Sequence, residues 1–483
     1  MIQQIENLTI KPTIRTLSEE QVRDIHYATL EIMSQDGVDM QDPQGRELLL
    51  EAGAWESNGR IKIPENVLVD ALASAPSRIP MHNRLGELVM PLELGKVFFG
   101  TGSDTIFTHD INTGERRRTT AQDVEDIARV ADALENITFV MSMGVPEDVP
   151  VKDTFIHEFI RLIRGSVKPN VYTSQDRRDM EDIYKIAAAV AGGEQELKEK
   201  PFLLHYAEPI SPLLINEESL QKIAFCAEKG IPSAYIPSPN PGGGGPITIA
   251  GAITVGNVEC LVGLIISQLI RPGAPFLYGM NTAAFDMKTT IVSYGSPEWS
   301  LGMSAWTEMA RYYNLPVWGY AGASDSKVVD TQAGIEATFS IMSAFLSRCT
   351  LNHDVAYIEY GTTSSMEMLV IADEIISMTR RFMEGVPVNR ETLAIDAIAR
   401  VHPGSGFVAD EHTLQHFREC QWAPRIIDRK RYDLWEKAGK TDMYERANSR
   451  AKQLLAQHQV PPLPASVETV IKDVLEERQS HKD

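Results

Sequence analysis

Between about residues 95 and 385, short continuously apolar runs alternate with amphipathic stretches. The runs begin with Val97 to Phe99 and continue with Ile137 to Met141, Asn170 to Thr173, Pro201 to Tyr206, Pro232 to Ile236, Pro275 to Tyr278, Pro316 to Tyr320 and Asp354 to Ile358. Each is apolar throughout rather than at every second position, as a strand buried on both faces must be. From the second run onward the spacing is roughly 30 to 40 residues, the length of one βα unit. Several runs open on proline, which is tolerated at the first residue of a strand because no ladder donor is needed there. The intervening patterns predict helices over Arg177 to Val190, Glu217 to Lys229, Pro297 to Tyr313, Thr331 to Ser347 and Ser365 to Phe382. Eight such units predict an α/β fold, a closed (β/α)8 TIM barrel over residues 95–385. A doubly wound open sheet is the alternative, but no glycine fingerprint opens its first helix.

The flanks differ in pattern. Residues 1–94 start with a helix from Ser18 to Asp36, with a capping box from Ser18 to Gln21, and then become mixed; they are read as an extension covering one end of the barrel. Residues 386–483 are wholly helical in pattern and end in a charged amphipathic tail, Lys452 to Lys482. The most apolar stretch, Ala250 to Ile270, carries Asn257 and Glu259, each of which a bilayer core penalises by a few kcal/mol. It is read as a core helix. Met1 to Ile10 shows no basic segment followed by an apolar run, so no secretory leader is expected and the location expected is cytoplasmic.

Charge narrows the partners. Lys and Arg total 46 against 66 Asp and Glu, for a formal charge of −20. Such a field repels nucleic acid and anionic membrane surfaces and attracts a cationic small molecule. Cys226, Cys260, Cys349 and Cys420 lie far apart, without the paired spacing of a zinc cluster or a disulfide framework, so no bound metal is expected.

Local motifs exclude more than they assign. Ser238 to Gly245 ends in four glycines, Gly242, Gly243, Gly244 and Gly245, whose amides and conformational freedom allow close approach to the main chain; no Gly-Lys-Ser/Thr follows, so a P-loop is not supported. His412 and His416 have a metal-binding helical spacing, yet Thr413 stands where a metallopeptidase needs glutamate. Asp153 and His157 are read as a surface or supporting pair, Arg116 to Arg118 as a solvated turn, and no Gly-x-Ser-x-Gly elbow occurs. Barrel chemistry sits at the carboxyl ends of strands. Those positions hold Tyr172, His205, Tyr206, Tyr235, Tyr278, Asn281, Tyr320, Ser324, Asp325, Glu359 and Tyr360, with Phe98 and Phe99 flanking the first strand and His353 just before the last. Aromatic faces with a few carboxylates suit a quaternary ammonium, through cation–π contacts of roughly 0.5 to 2 kcal/mol each.

Several stretches carry a family resemblance: Gly251 to Gln268 (GAITVGNVECLVGLIISQ), Arg271 to Gly279 (RPGAPFLYG), Tyr294 to Glu298 (YGSPE), Gly319 to Lys327 (GYAGASDSK), Asp330 to Glu336 (DTQAGIE), Ser365 to Ile376 (SMEMLVIADEII) and His412 to Phe417 (HTLQHF), with Trp422 and Pro424 before Asp428-Arg429. Together they resemble the trimethylamine methyltransferase family of corrinoid-dependent enzymes, over most of residues 15–450. The resemblance implies a (β/α)8 barrel that moves a methyl group from an amine to the cob(I)alamin of a separate small corrinoid protein. The family's trimethylamine enzymes contain pyrrolysine, whereas this sequence holds only standard residues. It is therefore similar to the non-pyrrolysine branch, which demethylates quaternary amines such as glycine betaine, proline betaine or carnitine, with glycine betaine the first expectation. The loop Gly319 to Lys327 is read as the place where pyrrolysine is replaced.

Chemistry agrees with that branch. A quaternary nitrogen leaves as a neutral amine without an acid, and Co(I) is itself the nucleophile, so positioning is the protein's main task and no side-chain nucleophile is required. The cage is then expected from Phe99, Tyr206, Tyr320 and Tyr360, with Phe98 beside the substrate and Glu208, Asp325 or Glu359 holding the cation. His205, Asn281 or His353, with His353 foremost, would serve a substrate carboxylate. The glycine run is expected to admit the corrinoid protein, and self-association is expected. Two other readings stand beside it: a catalytically silent barrel that binds quaternary amines, and a metal-dependent lyase or an aldolase acting through Lys327.

Overall fold

The computed structural model describes residues 11–480; Met1 to Ile10 and the last three residues, Lys482 of the predicted tail among them, lie outside it. Seven of the eight apolar runs form one parallel sheet: β1 (Phe98–Thr101), β2 (Asn170–Tyr172), β3 (Leu203–Ala207), β4 (Ser233–Tyr235), β5 (Phe276–Gly279), β6 (Val317–Tyr320) and β7 (Leu351–Val355). Their order is β1-β7-β6-β5-β4-β3-β2. The remaining run makes single parallel bridges to the two strands at the ends of that order, Phe139 to Gly100 and Val140 to Asn170. Thr138 N donates to Phe99 O at 2.7 Å, and Val171 N to Val140 O at 3.0 Å.

The helices are α1 (Glu19–Glu31), α2 (Ala121–Ala133), α3 (Thr154–Gly165), α4 (Arg177–Ala191), α5 (Glu217–Lys229), α6 (Ile249–Ile270), α7 (Pro297–Tyr313), α8 (Thr331–Ser347), α9 (Met366–Met383), α10 (Glu411–Cys420), α11 (Met443–Gln457) and α12 (Ala465–Ser480), with shorter ones between. Side-chain caps start several of them: Ser18 closes the predicted capping box with Gln21 on α1, Thr120 does so with Asp123 on α2, and Asp176, Asp330 and Ser365 cap α4, α8 and α9.

The apolar helix α6 packs inside the molecule, with 78% of its most apolar stretch buried. Its two polar residues are satisfied there. Tyr278 on β5 donates to Asn257 Oδ1 (2.7 Å), and Asn257 Nδ2 donates to Thr29 on α1 (2.9 Å) and to Tyr313 on α7 (2.8 Å), which fastens the amino-terminal helix to the sheet layer. Glu259 accepts from Ser211 Oγ (2.7 Å) and Leu213 N. Gly263 lets α6 approach closely, because a Cβ there would overlap the ring of Tyr235 on β4. At the other end α12 is held by Arg478, which donates to Asp182 (2.6 Å), Asp179 (2.7 Å), Asp153 (3.2 Å) and Lys152 O (3.1 Å). No strand follows residue 386 among the described residues.

Three expectations are corrected. The last strand is Leu351–Val355 rather than Asp354 to Ile358, so His353 lies inside it; Tyr357–Ile358 belongs to a separate small sheet. Arg116 to Arg118 form an edge strand of that sheet, antiparallel to Phe107–His109, not a turn. Each arginine has an acidic partner, Glu359, Asp110 with Asp123, and Glu147, which explains the basic run as local charge pairing. Asp153 is buried against Arg478 rather than lying at the surface.

Candidate functional site

Side chains alternate across a strand, so adjacent residues face opposite layers. On β3, His205 turns outward: its Nε2 is 2.9 Å from Ser174 Oγ and its ring meets Tyr172 edge-on at 4.9 Å, with Phe159 of α3 behind Tyr172. Burial holds His205 neutral, well below its ordinary range. Tyr172, Tyr235 and Tyr278 likewise pack under the helices. Tyr206 points the other way. Its ring stacks on Trp318 of β6 at 5.0 Å and lies 5.7 Å from His353 of β7. Because β3 and β6 are separated in the sheet by β4 and β5, these rings meet across the hollow of a strongly curved sheet. Tyr320, two residues beyond Trp318 and therefore on the same face, lies 4.5 Å from His353, as does Trp318. Trp299 and Tyr294 extend the aromatic wall, at 5.2 Å from Tyr320 and 4.9 Å from each other respectively.

Three carboxylates enter the same hollow. Glu208 follows Tyr206 by two residues and accepts its hydroxyl. Asp104 follows β1, where it accepts from Ser103 Oγ at 2.7 Å, and Asp354 belongs to β7. Glu208 and Asp104 keep exposed surface while protein surrounds them, as groups lining an internal hollow do. Burial, reinforced by Asp104 and Asp354 and opposed by the Tyr206 hydroxyl, pushes Glu208 up to about 7. Burial, with Asp354 adding to it, also raises Asp104. Behind Asp104, the fully buried Glu158 of α3 is raised well above its usual range by burial and by Asp104 itself.

The backbone explains how consecutive residues serve one site. Register shifts between Asn352 and Val355 mark a bulge in β7, and Asp354 has φ of 70°. The bulge re-aims Asp354 so that it shares the hollow with its neighbour His353, which a regular strand forbids. Asp104, Met143, Ala356, Glu359 and Tyr360 also carry positive φ around this end of the sheet. Such residues cost about 1–3 kcal/mol each and persist where surroundings enforce them, often at functional sites. Gly102 is required by the same crowding, since a Cβ there would run into Tyr357 and come within 2.6 Å of Asp354 Oδ1.

Of the predicted residues, Tyr206, Glu208, Tyr320 and His353 come together. Phe98 and Phe99 sit at the amino end of β1, and Phe99 packs on Phe345 of α8 at 4.9 Å. Asn281 accepts from Trp299 Nε1 (3.0 Å) and so supports the aromatic wall. Asp325 is engaged by Ser293 Oγ and Tyr294 N, and Glu359 by Arg116 and Thr363. Ser324 donates to Glu336. Tyr360 lies farther out, in a cleft of about 620 Å³ shared with Asp325, Phe285, Glu298 and Lys327, whose ammonium is 5.7 Å from the Tyr360 ring. The glycine run is a closed turn: Gly242 N donates to Gly245 O, Gly243 N and Gly245 N to Asn240 O, and Gly243 rests against Phe285. His412 and His416 lie 4.5 Å apart on α10 with their rings tilted, and no cluster of three or more potential metal ligands occurs among the described residues. Sequence reasoning missed Trp318, Trp299, Tyr294, Asp104 and Asp354. The period of two from Tyr320 identifies Trp318; the others depend on loops and the bulge.

The profile of the family described as trimethylamine methyltransferase (MTTB) matches residues 1–482. The chain is 30% identical over 469 residues to a glycine betaine methyltransferase of Desulfitobacterium hafniense strain Y51, covering 97% of this chain and 98% of that one. It is 31% identical over 467 residues to the trimethylamine methyltransferase MttB of strain DSM 10664 / DCB-2 (96% and 93% covered) and 33% identical to that of Methanosarcina thermophila (94% and 95%). The solved structure of the Methanosarcina barkeri monomethylamine methyltransferase MtmB superposes with a TM-score of 0.49 at 13% identity, over 94% of this chain and 96% of that one.

Proposed function

Since the chain belongs to the trimethylamine methyltransferase family, we propose that it takes a methyl group from a quaternary amine and delivers it to the reduced corrinoid of a separate small corrinoid protein. The observation that carries this reading is the hollow in which Tyr206, Trp318, Tyr320 and His353 meet at ring separations of 4.5 to 5.7 Å beside Glu208, Asp104 and Asp354. Aromatic faces and carboxylates hold a permanent cation. A neutral primary or secondary amine would gain far less from them.

The reaction asks little acid–base chemistry of these residues. The carbon–nitrogen bonding pair stays on nitrogen as the methyl leaves, so a tertiary amine departs neutral and no proton is needed. The reduced corrinoid supplies the attacking electron pair. The chain's own residues fix the ammonium, exclude water and aim one methyl outward, which is proximity and orientation catalysis. Because the positive charge is lost on the way to product, holding it too tightly would stabilise the ground state over the transition state. Glu208, with an affinity for protons near neutrality, is a moderate counter-ion in this sense.

Two parallel bridges at Phe139 and Val140 and the ring contacts across the hollow support reading the sheet as a closed eight-stranded (β/α)8 barrel over residues 95–385, flanked by extensions at 1–94 and 386–483. The site then lies at the carboxyl ends of the strands. The stretch Gly319 to Lys327, read as replacing pyrrolysine, contributes Tyr320 to the wall and Lys327 to the outer cleft, and that cleft is the entrance offered to the corrinoid partner. The purified chain mixed with a reduced corrinoid protein and a panel of quaternary amines should convert the corrinoid spectrum to that of its methylated form. Absence of conversion with every member of the panel, using a corrinoid protein active with another methyltransferase, contradicts the proposal.

A further inference from the structure

We infer that the preferred substrate is a quaternary ammonium monocation without a carboxylate, of the tetramethylammonium or choline type, rather than a betaine. This rests on the proposed function and specifies the ligand of the same site.

The argument is the charge of the walls. Tyr206, Tyr294, Tyr320 and Tyr357 are each raised by burial and then by neighbouring acids, chiefly Glu208, Asp104 and Asp354, and no lysine or arginine stands among the principal groups acting on them. The same holds for Glu208. His353 and Lys222 also act on Asp104, and the Lys222 ammonium donates to Ser174 O at 2.8 Å. His353, foremost among the sequence candidates for a substrate carboxylate, has Nδ1 2.9 Å from Asp354 Oδ1, so an acid already faces that ring nitrogen. Outside the hollow, Arg116 is taken by Glu359, and Lys327 shares its cleft with Asp286, Glu298 and Asp325. A carboxylate one carbon from the ammonium, as in glycine betaine, meets Glu208, Asp104 and Asp354, and the Lys222 ammonium that acts on Asp104 is already donating to Ser174 O.

The wall does offer polar atoms. His353 Nε2, Trp318 Nε1 and Tyr320 Oη are buried without a hydrogen-bond partner and belong to residues that meet at the hollow. These suit the hydroxyl of a choline-type alcohol, or water beside tetramethylammonium, and do not require an anion. Cation binding also favours the ionised form of Glu208, which is faced by Asp104, Asp354, Tyr206, Tyr320 and Tyr294, so binding of a monocation releases protons near neutral pH.

The experiment titrates the full chain with tetramethylammonium, choline and glycine betaine by calorimetry and tryptophan fluorescence at pH 8, then repeats it with Glu208→Gln and Asp354→Asn. Both monocations should bind at least about tenfold more tightly than glycine betaine, and either variant should narrow the gap by weakening the monocations. Glycine betaine binding as tightly as choline, or a gap unchanged in a folded Glu208→Gln protein, overturns the inference and leaves the quaternary-amine function standing. No binding of any of the three overturns both.

Discussion

Replacing Trp318 with leucine removes the ring on which Tyr206 stacks at the hollow while keeping an apolar side chain on β6. Trp318 is fully buried, stacks on Tyr206 at 5.0 Å and touches His353 at 4.5 Å. One cation–π contact is worth roughly 0.5 to 2 kcal/mol when desolvated. At about 1.4 kcal/mol per tenfold, that predicts an affinity for a quaternary ammonium lowered about 2- to 30-fold. Trp318→Phe keeps a π face in the same place and should lose less than half of that free energy. Trp306 Nε1 bonds the Trp318 carbonyl, which both variants retain, so the strand position is preserved. Calorimetry with tetramethylammonium gives the affinity, and circular dichroism with thermal melting verifies folding. A folded Trp318→Leu protein with unaltered affinity, or a Trp318→Phe protein as weak as Trp318→Leu, refutes the cage.

Other consequences are as direct. With Glu208 at about 7 in the free protein, monocation affinity should be flat above pH 8 and fall about tenfold from pH 8 to 6, because a proton must leave below that value for the carboxylate to meet the cation; calorimetry in buffers of different ionisation heat measures the released proton. Gly102→Ala forces Tyr357 and Asp354 apart, a strain of about 1–3 kcal/mol, and should weaken amine binding more than it lowers the melting temperature. Arg478→Met leaves Asp153 and Asp179, both buried, without their cation, which predicts about 3–5 kcal/mol of lost docking of α12 and faster proteolysis at the carboxyl end with amine affinity kept.

Most strands are legible because they are apolar along nearly their whole length, and the same property hides which side of each strand faces the hollow. His205 and Tyr206 are neighbours of similar character, yet one lies against Ser174 under the helices and the other against Trp318 in the site. Tyr172, Tyr235 and Tyr278 fell on the outer face for the same reason. The pattern starts the last strand three residues late, at Asp354, because Asn352 and His353 interrupt the apolar run; His353 and Asp354 are the residues the bulge turns to use. Asp104 stands beyond β1 in a segment without periodicity, Tyr294 reaches the wall from the long loop after β5, where no local pattern carries direction, and Trp299 reaches it from the first turn of α7. The glycine run signals conformational freedom in sequence, but which turn it forms is set by its hydrogen bonds to Asn240 and the packing of Phe285.

Methyl transfer itself is the most direct test. A quaternary amine carrying a ¹³C-labelled methyl, mixed with the full chain and a reduced corrinoid protein, should place the label on the corrinoid in equal amount to the tertiary amine released. That transfer should fail without the chain and fall sharply with Trp318→Leu. Labelled corrinoid formed at the same rate without the chain, or tertiary amine released with no label on the corrinoid, contradicts the account.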